Sequence, residues 1–385
     1  MDAELHELAR DGDPEAQCML AAAYLNPESR DLQRALYWLR RSAGAGFAPA
    51  QYALASFHTR ERGRTPDSRS ALRWFKKAAA QGDSDAQLAL AYRYAARSNT
   101  PAARRRAVHW FRRAANAGEA TAQYHLARAY ASGHGAPRDY AKAAGWYRRA
   151  ARGGDLRAFV ALGSMSAAGL GMPRDLPSAV RWYRRAAESG SRHAQCIVGL
   201  HYLAGHGTRR DVSHALDWLR LAADQGYPLA QYSLGVAIVA RPHGISIPAA
   251  EGLRWLESAA ALGQMDAAVA LARVLVEGEI VSRDLRRARQ LLRAASLKGH
   301  AAAARELAET YAQIEGIRPD WVRAAQLFRA AARQGDPWAQ FRLGECYLKG
   351  LGVPRDSRRA RTWLGHAASA GVAAAGDVLD TRKAA

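Results

Sequence analysis

One nonapeptide recurs along this chain at a nearly fixed interval, and that interval limits the possible folds more than any other feature. The segment Trp110-Phe-Arg-Arg-Ala-Ala-Asn-Ala-Gly118 returns as Trp146-Tyr-Arg-Arg-Ala-Ala-Arg-Gly-Gly154 and as Trp182-Tyr-Arg-Arg-Ala-Ala-Glu-Ser-Gly190. Further copies start at Trp38, Trp74, Trp218, Trp255 and Trp363, and weaker ones end at Gly12, Gly299 and Gly335. The eleven closing glycines are 34, 36, 36, 36, 36, 36, 37, 36, 36 and 36 residues apart. A period held from end to end marks an array in which each unit packs on its neighbours.

Each unit reads as two helices. After the glycine comes an Ala-Gln pair and an apolar stripe at helical spacing, as in Ala122, Gln123, Leu126 and Tyr130. The loop Gly133-His-Gly135-Ala-Pro-Arg-Asp139 then ends the helix, its glycines suited to positive φ. Asp139 is a good N-cap for the second helix, as are Asp175, Asp211, Asp284 and Asp356 at the same step. The second helix carries Ala143, Trp146, Tyr147 and Ala150 on one stripe until Gly154 stops it. Small alanines alternating with large aromatics let helices interlock, and two short helices cannot bury such faces alone, so neighbours must stack. The expected fold is all-α, with about 22 helices from eleven pairs and no sheet. Trp146 is expected to be buried, so that its truncation costs about 3–5 kcal/mol.

Composition excludes several other classes. The apolar runs of this 385-residue chain fall short of a membrane span, and its acidic start, MDAELHELARDGD, has no Sec-type leader pattern. Three scattered cysteines (Cys18, Cys196, Cys346) make neither a disulfide framework nor a Cys-based zinc site, so a reducing, cytoplasmic setting is expected. The net charge is +21, and arginine supplies most of the 56 basic side chains. Residues 51–200 hold 26 basic and 9 acidic side chains. Such a field favours anionic partners, although arginine bias also follows from a GC-rich genome.

The repeat resembles a known family. The pattern Leu343-Gly344, Tyr347, Gly350-Leu-Gly352-Val-Pro-Arg-Asp356, Trp363 and Gly371 looks like the Sel-one-like repeat (SLR) family, a relative of tetratricopeptide repeats. The resemblance covers roughly residues 3–380. It implies a right-handed α/α superhelical solenoid of about ten to eleven 36-residue helix pairs, usually an adaptor or scaffold for other proteins. Relatives of this kind serve protein quality control, bacterial signalling, envelope assembly and host–microbe contact, and a bacterial, cytoplasmic protein is the expectation. One continuous solenoid over 1–385 is expected, with a capping helix at 1–12, repeats over 13–371 and a capping helix and tail at 372–385. The first, second, third and seventh units depart from the pattern in the loops Leu25–Asp31, Arg60–Pro66, Arg97–Pro101 and Arg241–Pro248, and the ninth has Leu327 for the anchor Trp with Trp321 nearby. Irregular loops on a regular array are places for a specific contact or a bend, or simply for drift.

Catalytic patterns are missing. There is no phosphate-binding Gly-x-Gly-x-x-Gly, Walker loop or His-Glu-x-x-His, and the paired glycines such as Gly133/Gly135 read as repeat loops. Cysteine-rich SLR relatives have been linked to β-lactam binding, but this chain lacks their disulfide pairs and any Lys-Thr-Gly. The best metal candidate, His193, Cys196, His201, His206 and His214, fails on helical geometry and lacks a completing ligand. No enzyme activity, cofactor or metal is expected.

Two surfaces remain. Arg40, Arg41, Lys76, Lys77, Arg112, Arg113, Arg148, Arg149, Arg184 and Arg185 occupy equal places in five successive second helices, and stacking turns equal places into an outer basic ridge. Such a row suits phosphates, acidic proteins or an anionic membrane, and equally a solvated convex face. By analogy with tetratricopeptide repeats, a concave groove is lined by positions three, six and ten after each glycine. It would carry Tyr52, Tyr92, Tyr124, Arg128, Tyr232, Arg273, Trp338 and Phe341. Aromatic anchors with interspersed arginines suit an extended or helical peptide, with the arginines pairing carboxylates. The leading expectation is therefore an adaptor, monomeric by default, that binds a protein or peptide in the groove. The alternatives are a binder of nucleic acid or anionic membrane through residues 51–200, and an exported host-interaction effector.

Overall fold

The structure is a computed structural model that describes residues 3–26, 31–60, 68–97, 100–240, 247–312 and 318–381. It divides into two compact units, residues 1–189 and 190–385. The first holds α1 (Ala3–Asp11), α2 (Pro14–Tyr24), α3 (Leu32–Gly44), α4 (Ala48–Arg60), α5 (Ser68–Ala80), α6 (Ser84–Arg97), α7 (Pro101–Asn116), α8 (Ala120–Ser132), α9 (Tyr140–Arg152), α10 (Leu156–Ala168) and α11 (Leu176–Glu188). The second holds α12 (Arg192–Ala204), α13 (Val212–Asp224), α14 (Pro228–Val239), α15 (Ala249–Ala261), α16 (Met265–Glu277), α17 (Leu285–Leu297), α18 (Ala301–Ala312), α19 (Trp321–Arg333), α20 (Pro337–Lys349), α21 (Ser357–Ser369) and α22 (Ala373–Thr381). Among the described residues there are thus 22 helices and no strand, and each unit is an α/α solenoid of stacked pairs. Three of the irregular loops lie largely outside the described residues, as do residues 98–99 of the third, whose Thr100 caps α7 by accepting from the Ala103 N–H.

The aspartates cap as their spacing predicts. Asp139, Asp175, Asp211 and Asp284 accept from the backbone N–H of Lys142, Ser178, His214 and Arg287 at 2.9–3.0 Å, and Asp356 accepts from Arg358 and Arg359. All eleven closing glycines take positive φ, from 70° to 102°. A Cβ on any of them would meet nothing within 4 Å, so conformation alone requires glycine there. Gly135 answers a second demand, because its Cβ would stand 2.6 Å from the Arg104 carbonyl oxygen at the start of α7. The second glycine of the loop is therefore where one pair leans on the backbone of the pair before it.

The Ala-Gln pair has a specific task. The Nε2 groups of Gln51, Gln87, Gln123 and Gln231 donate to the carbonyls of Ala43, Ala79, Ala115 and Ala223, eight residues back, at 3.1–3.2 Å. Each buried amide thus satisfies a carbonyl at the C-terminus of the preceding helix.

The expectation for Trp146 needs correction. It is half-buried, whereas its neighbour Tyr147 is 4% exposed and packs into the core with Ala143, Ala150 and Leu162. Trp146 packs at the edge of two successive core clusters and so cements one repeat to the next. Its outer face is covered by the Arg149 guanidinium, 4.6 Å from the ring centroid. An indole at a seam between repeats keeps one edge in water, and the residue after it serves as the core anchor.

Candidate partner-binding surfaces

In the first unit, α6 and α8 bring Tyr92, Tyr124 and Arg128 together around a residue that the groove pattern does not include, His125, and α10 adds Arg157. Tyr92 is 40% exposed, and its Oη shares a 2.9 Å hydrogen bond with His125 Nε2. The imidazole stacks on Phe111 with centroids 4.9 Å apart and meets Tyr124 edge-on at 5.3 Å. Arg157 lies over the Tyr124 ring at 4.4 Å and holds Asp155 in a two-pronged ion pair. Burial, and then the positive charges of Arg128 and Arg157, push the His125 pKa down to about 4, so the ring is neutral at physiological pH. Arg128 is exposed and has no carboxylate partner among the described residues. A cavity of about 170 Å³ opens beside it, lined by Arg104, Phe111, His125, Ser132 and His134. Tyr52 sits apart from this group, half-buried, with its ring 5.8 Å from Phe75.

The second unit arranges the same positions differently. Tyr232 is half-buried. Arg273 pairs with Glu306 at 2.6 Å. Arg305 bridges Glu306 and Asp336, and Arg342 bridges Glu309 and Glu345. Burial works against the charge of Glu345, yet Lys349 and Arg342 hold its carboxyl below the usual range. A cavity of about 360 Å³ here is lined by Arg273, Glu277, Glu306 and Glu309. The carboxylates expected from a partner at Arg273 are thus supplied by the chain itself. Trp338, 54% exposed, and half-buried Phe341 meet edge-on at 6.1 Å and form the apolar end of this face.

The basic row on the second helices is present and exposed, but most of it is engaged. Arg41, Lys77, Arg113, Arg149 and Arg185 each lie over the ring of the tryptophan three residues earlier, at 4.6–5.5 Å. Of the outer members, Arg112 donates to Tyr130 Oη and Arg184 pairs with Glu188. Arg40, Lys76 and Arg148 have no ion-pair partner among the described residues.

The histidines near Cys196 are each directed elsewhere. His193 bonds Tyr227 Oη, His201 bonds the His206 carbonyl, and His214 pairs with Asp211. Burial pushes the Cys196 thiol up to about 12, so it is a neutral thiol at physiological pH. No group of three or more potential ligands is gathered among the described residues, and none of the described helices is long and apolar enough to cross a membrane.

Comparison with known proteins places these surfaces in context. The Sel1 repeat model matches ten times, over residues 14–47, 48–83, 84–119, 120–155, 160–191, 192–227, 228–264, 266–300, 301–336 and 339–372. The chain is similar to a protective antigen of uropathogenic Escherichia coli with an SLR fold, at 32% identity and a TM-score of 0.81, covering 97% of this chain and 80% of the other. It is also similar to a Sel1 repeat protein from Oxalobacter formigenes, at 31% identity and a TM-score of 0.64, covering 85% and 92%. A signal-transduction ATPase with a tetratricopeptide repeat sensor from Pyrococcus horikoshii shares the fold at 15% identity and a TM-score of 0.50, covering 88% of this chain and 54% of the other. No curated protein matches.

Proposed function

Since the chain belongs to the Sel1 repeat family, we propose that it is a non-catalytic, cytoplasmic scaffold that holds a partner protein against the faces of its first helices. The observation that carries this reading is the contrast between the two faces. In residues 190–385 three arginines of the first helices, Arg273, Arg305 and Arg342, are neutralised by Glu306, Glu309, Glu345 and Asp336. In residues 1–189 Arg128 stands without a carboxylate beside a cavity and an open aromatic, Tyr92. An exposed cation next to aromatic anchors fits an acidic peptide segment, whose carboxylate replaces the water around the guanidinium. Free, mostly buried cysteines fit a reducing compartment.

The test compares affinity capture from a lysate by the native chain, by Tyr92→Ala with Arg128→Glu, and by Arg112→Glu with Arg148→Glu. The expected result is one protein partner, lost with the first pair of changes and kept with the second. Loss with the second pair alone would move the function to the basic row. Contact with a host is a second reading, favoured by one observation, that the E. coli relative is a protective antigen. Finding the protein in the culture supernatant, without cell lysis, would select it.

A further inference from the structure

The eighth repeat lacks two side chains that most of the others carry at adjoining positions. Where most repeats place the capping glutamine five residues after the closing glycine, this one has Ala268, and where they place the seam tryptophan it has Leu291. That these two positions adjoin is visible in the fifth repeat, where Phe159 stands in for the glutamine and its ring lies 5.9 Å from Trp182. With both side chains shortened, a cavity of about 270 Å³ opens between α15, α16 and α17, with Met265, Ala268, Leu271 and Leu291 in its wall. The ninth repeat makes the same two changes, with Ala304 and Leu327, but there Ala304 is 0% exposed and Trp321 packs into the adjoining cluster.

The walls specify what fits. Ala260, at the end of α15, lines the cavity and is the residue whose carbonyl the missing glutamine would cap. Among the described residues that carbonyl accepts the Gly263 N–H at 3.0 Å, and no side chain donates to it. Arg287, paired with Glu257 at 2.6 Å, and Lys298 stand at the margin, so cations are at hand for an aromatic face, as they are over the seam tryptophans. Leu297, 81% exposed, and Leu262, 54% exposed, each adjoin a lining residue in sequence.

We propose that this cavity receives a tryptophan side chain from a partner protein. The indole takes the place that the chain's own seam tryptophan fills in other repeats, and its N–H replaces the glutamine donor at the Ala260 carbonyl. A phenyl ring would fill the space without satisfying the carbonyl and should bind several-fold more weakly. The site belongs to residues 190–385 and the Tyr92–Arg128 group to residues 1–189, so the inference does not depend on the reading of that face.

The test is a fluorine NMR titration of the full chain with N-acetyl-5-fluorotryptophanamide, with N-acetyl-4-fluorophenylalaninamide as the competitor chemistry. Saturable binding in the millimolar range is expected for the first probe, at least several-fold weaker for the second. Leu291→Trp rebuilds the regular repeat, so it should raise the melting temperature and abolish binding. Ala268→Gln supplies the missing donor and should weaken the indole probe while leaving the chain folded. No saturable response from the native chain would overturn the proposal, as would binding that survives both substitutions.

Discussion

At the scale of single residues, burial and not size orders the aromatic side chains. Tyr147→Ala removes a ring enclosed on all sides and should cost about 3–5 kcal/mol. Trp146→Ala removes a larger but half-exposed ring under Arg149 and should cost only about 2 kcal/mol. Chemical denaturation of the two variants ranks them, and a larger loss at Trp146 would contradict the seam assignment. His125 carries a pH prediction. Its folded pKa lies below that of the unfolded chain, so between about pH 6.5 and 4 the unfolded state binds a proton that the folded state refuses. Stability therefore falls as pH drops through that window, by about 1–2 kcal/mol after allowance for partial exposure. His125→Gln should flatten that part of the profile, read as melting temperature against pH; an unchanged slope would count against the half-buried, neutral imidazole. The tryptophan position was legible in the repeat, but its half-exposure was not, because a period does not say which edge faces water. His125 left no signal at all, since Tyr92 and Arg157, which flank it, lie some 32 residues away on either side.

Among the elements, the two kinds of loop glycine separate conformation from space. Gly154→Ala strains only a positive φ and should cost about 1–2 kcal/mol. Gly135→Ala adds a collision with the Arg104 carbonyl and should cost clearly more, with the damage centred on α7 and α8. Hydrogen exchange of the two variants measures both size and location, and equal, purely local effects would show that the pairs are not in contact there. Helix starts and stops were readable because Asp caps and αL glycines act on their own backbone within a few residues. The capping glutamines were visible as a pattern without a purpose. Their acceptors sit on the previous helix, across a turn whose geometry the spacing alone does not supply. The carboxylate partner of Arg273 was hidden for the same reason, as Glu306 reaches it from the next repeat.

For the molecule as a whole, the excess of positive charge does not translate into an equal excess of available cations. Five of the ten ridge residues lie on tryptophan rings, and most arginines of the second unit's first helices are paired with carboxylates. Composition counts charges, and only packing shows which of them face a partner. The array, its period and its all-α class were legible because they follow from repetition. The central claim is that a protein partner, and not a polyanion, is what this surface retains. Affinity capture at low and moderate salt, with nuclease treatment in parallel, tests it most directly. The account predicts a discrete protein that stays bound at moderate salt and after nuclease. Retention of nucleic acid or lipid alone, falling steeply as salt rises, would contradict it.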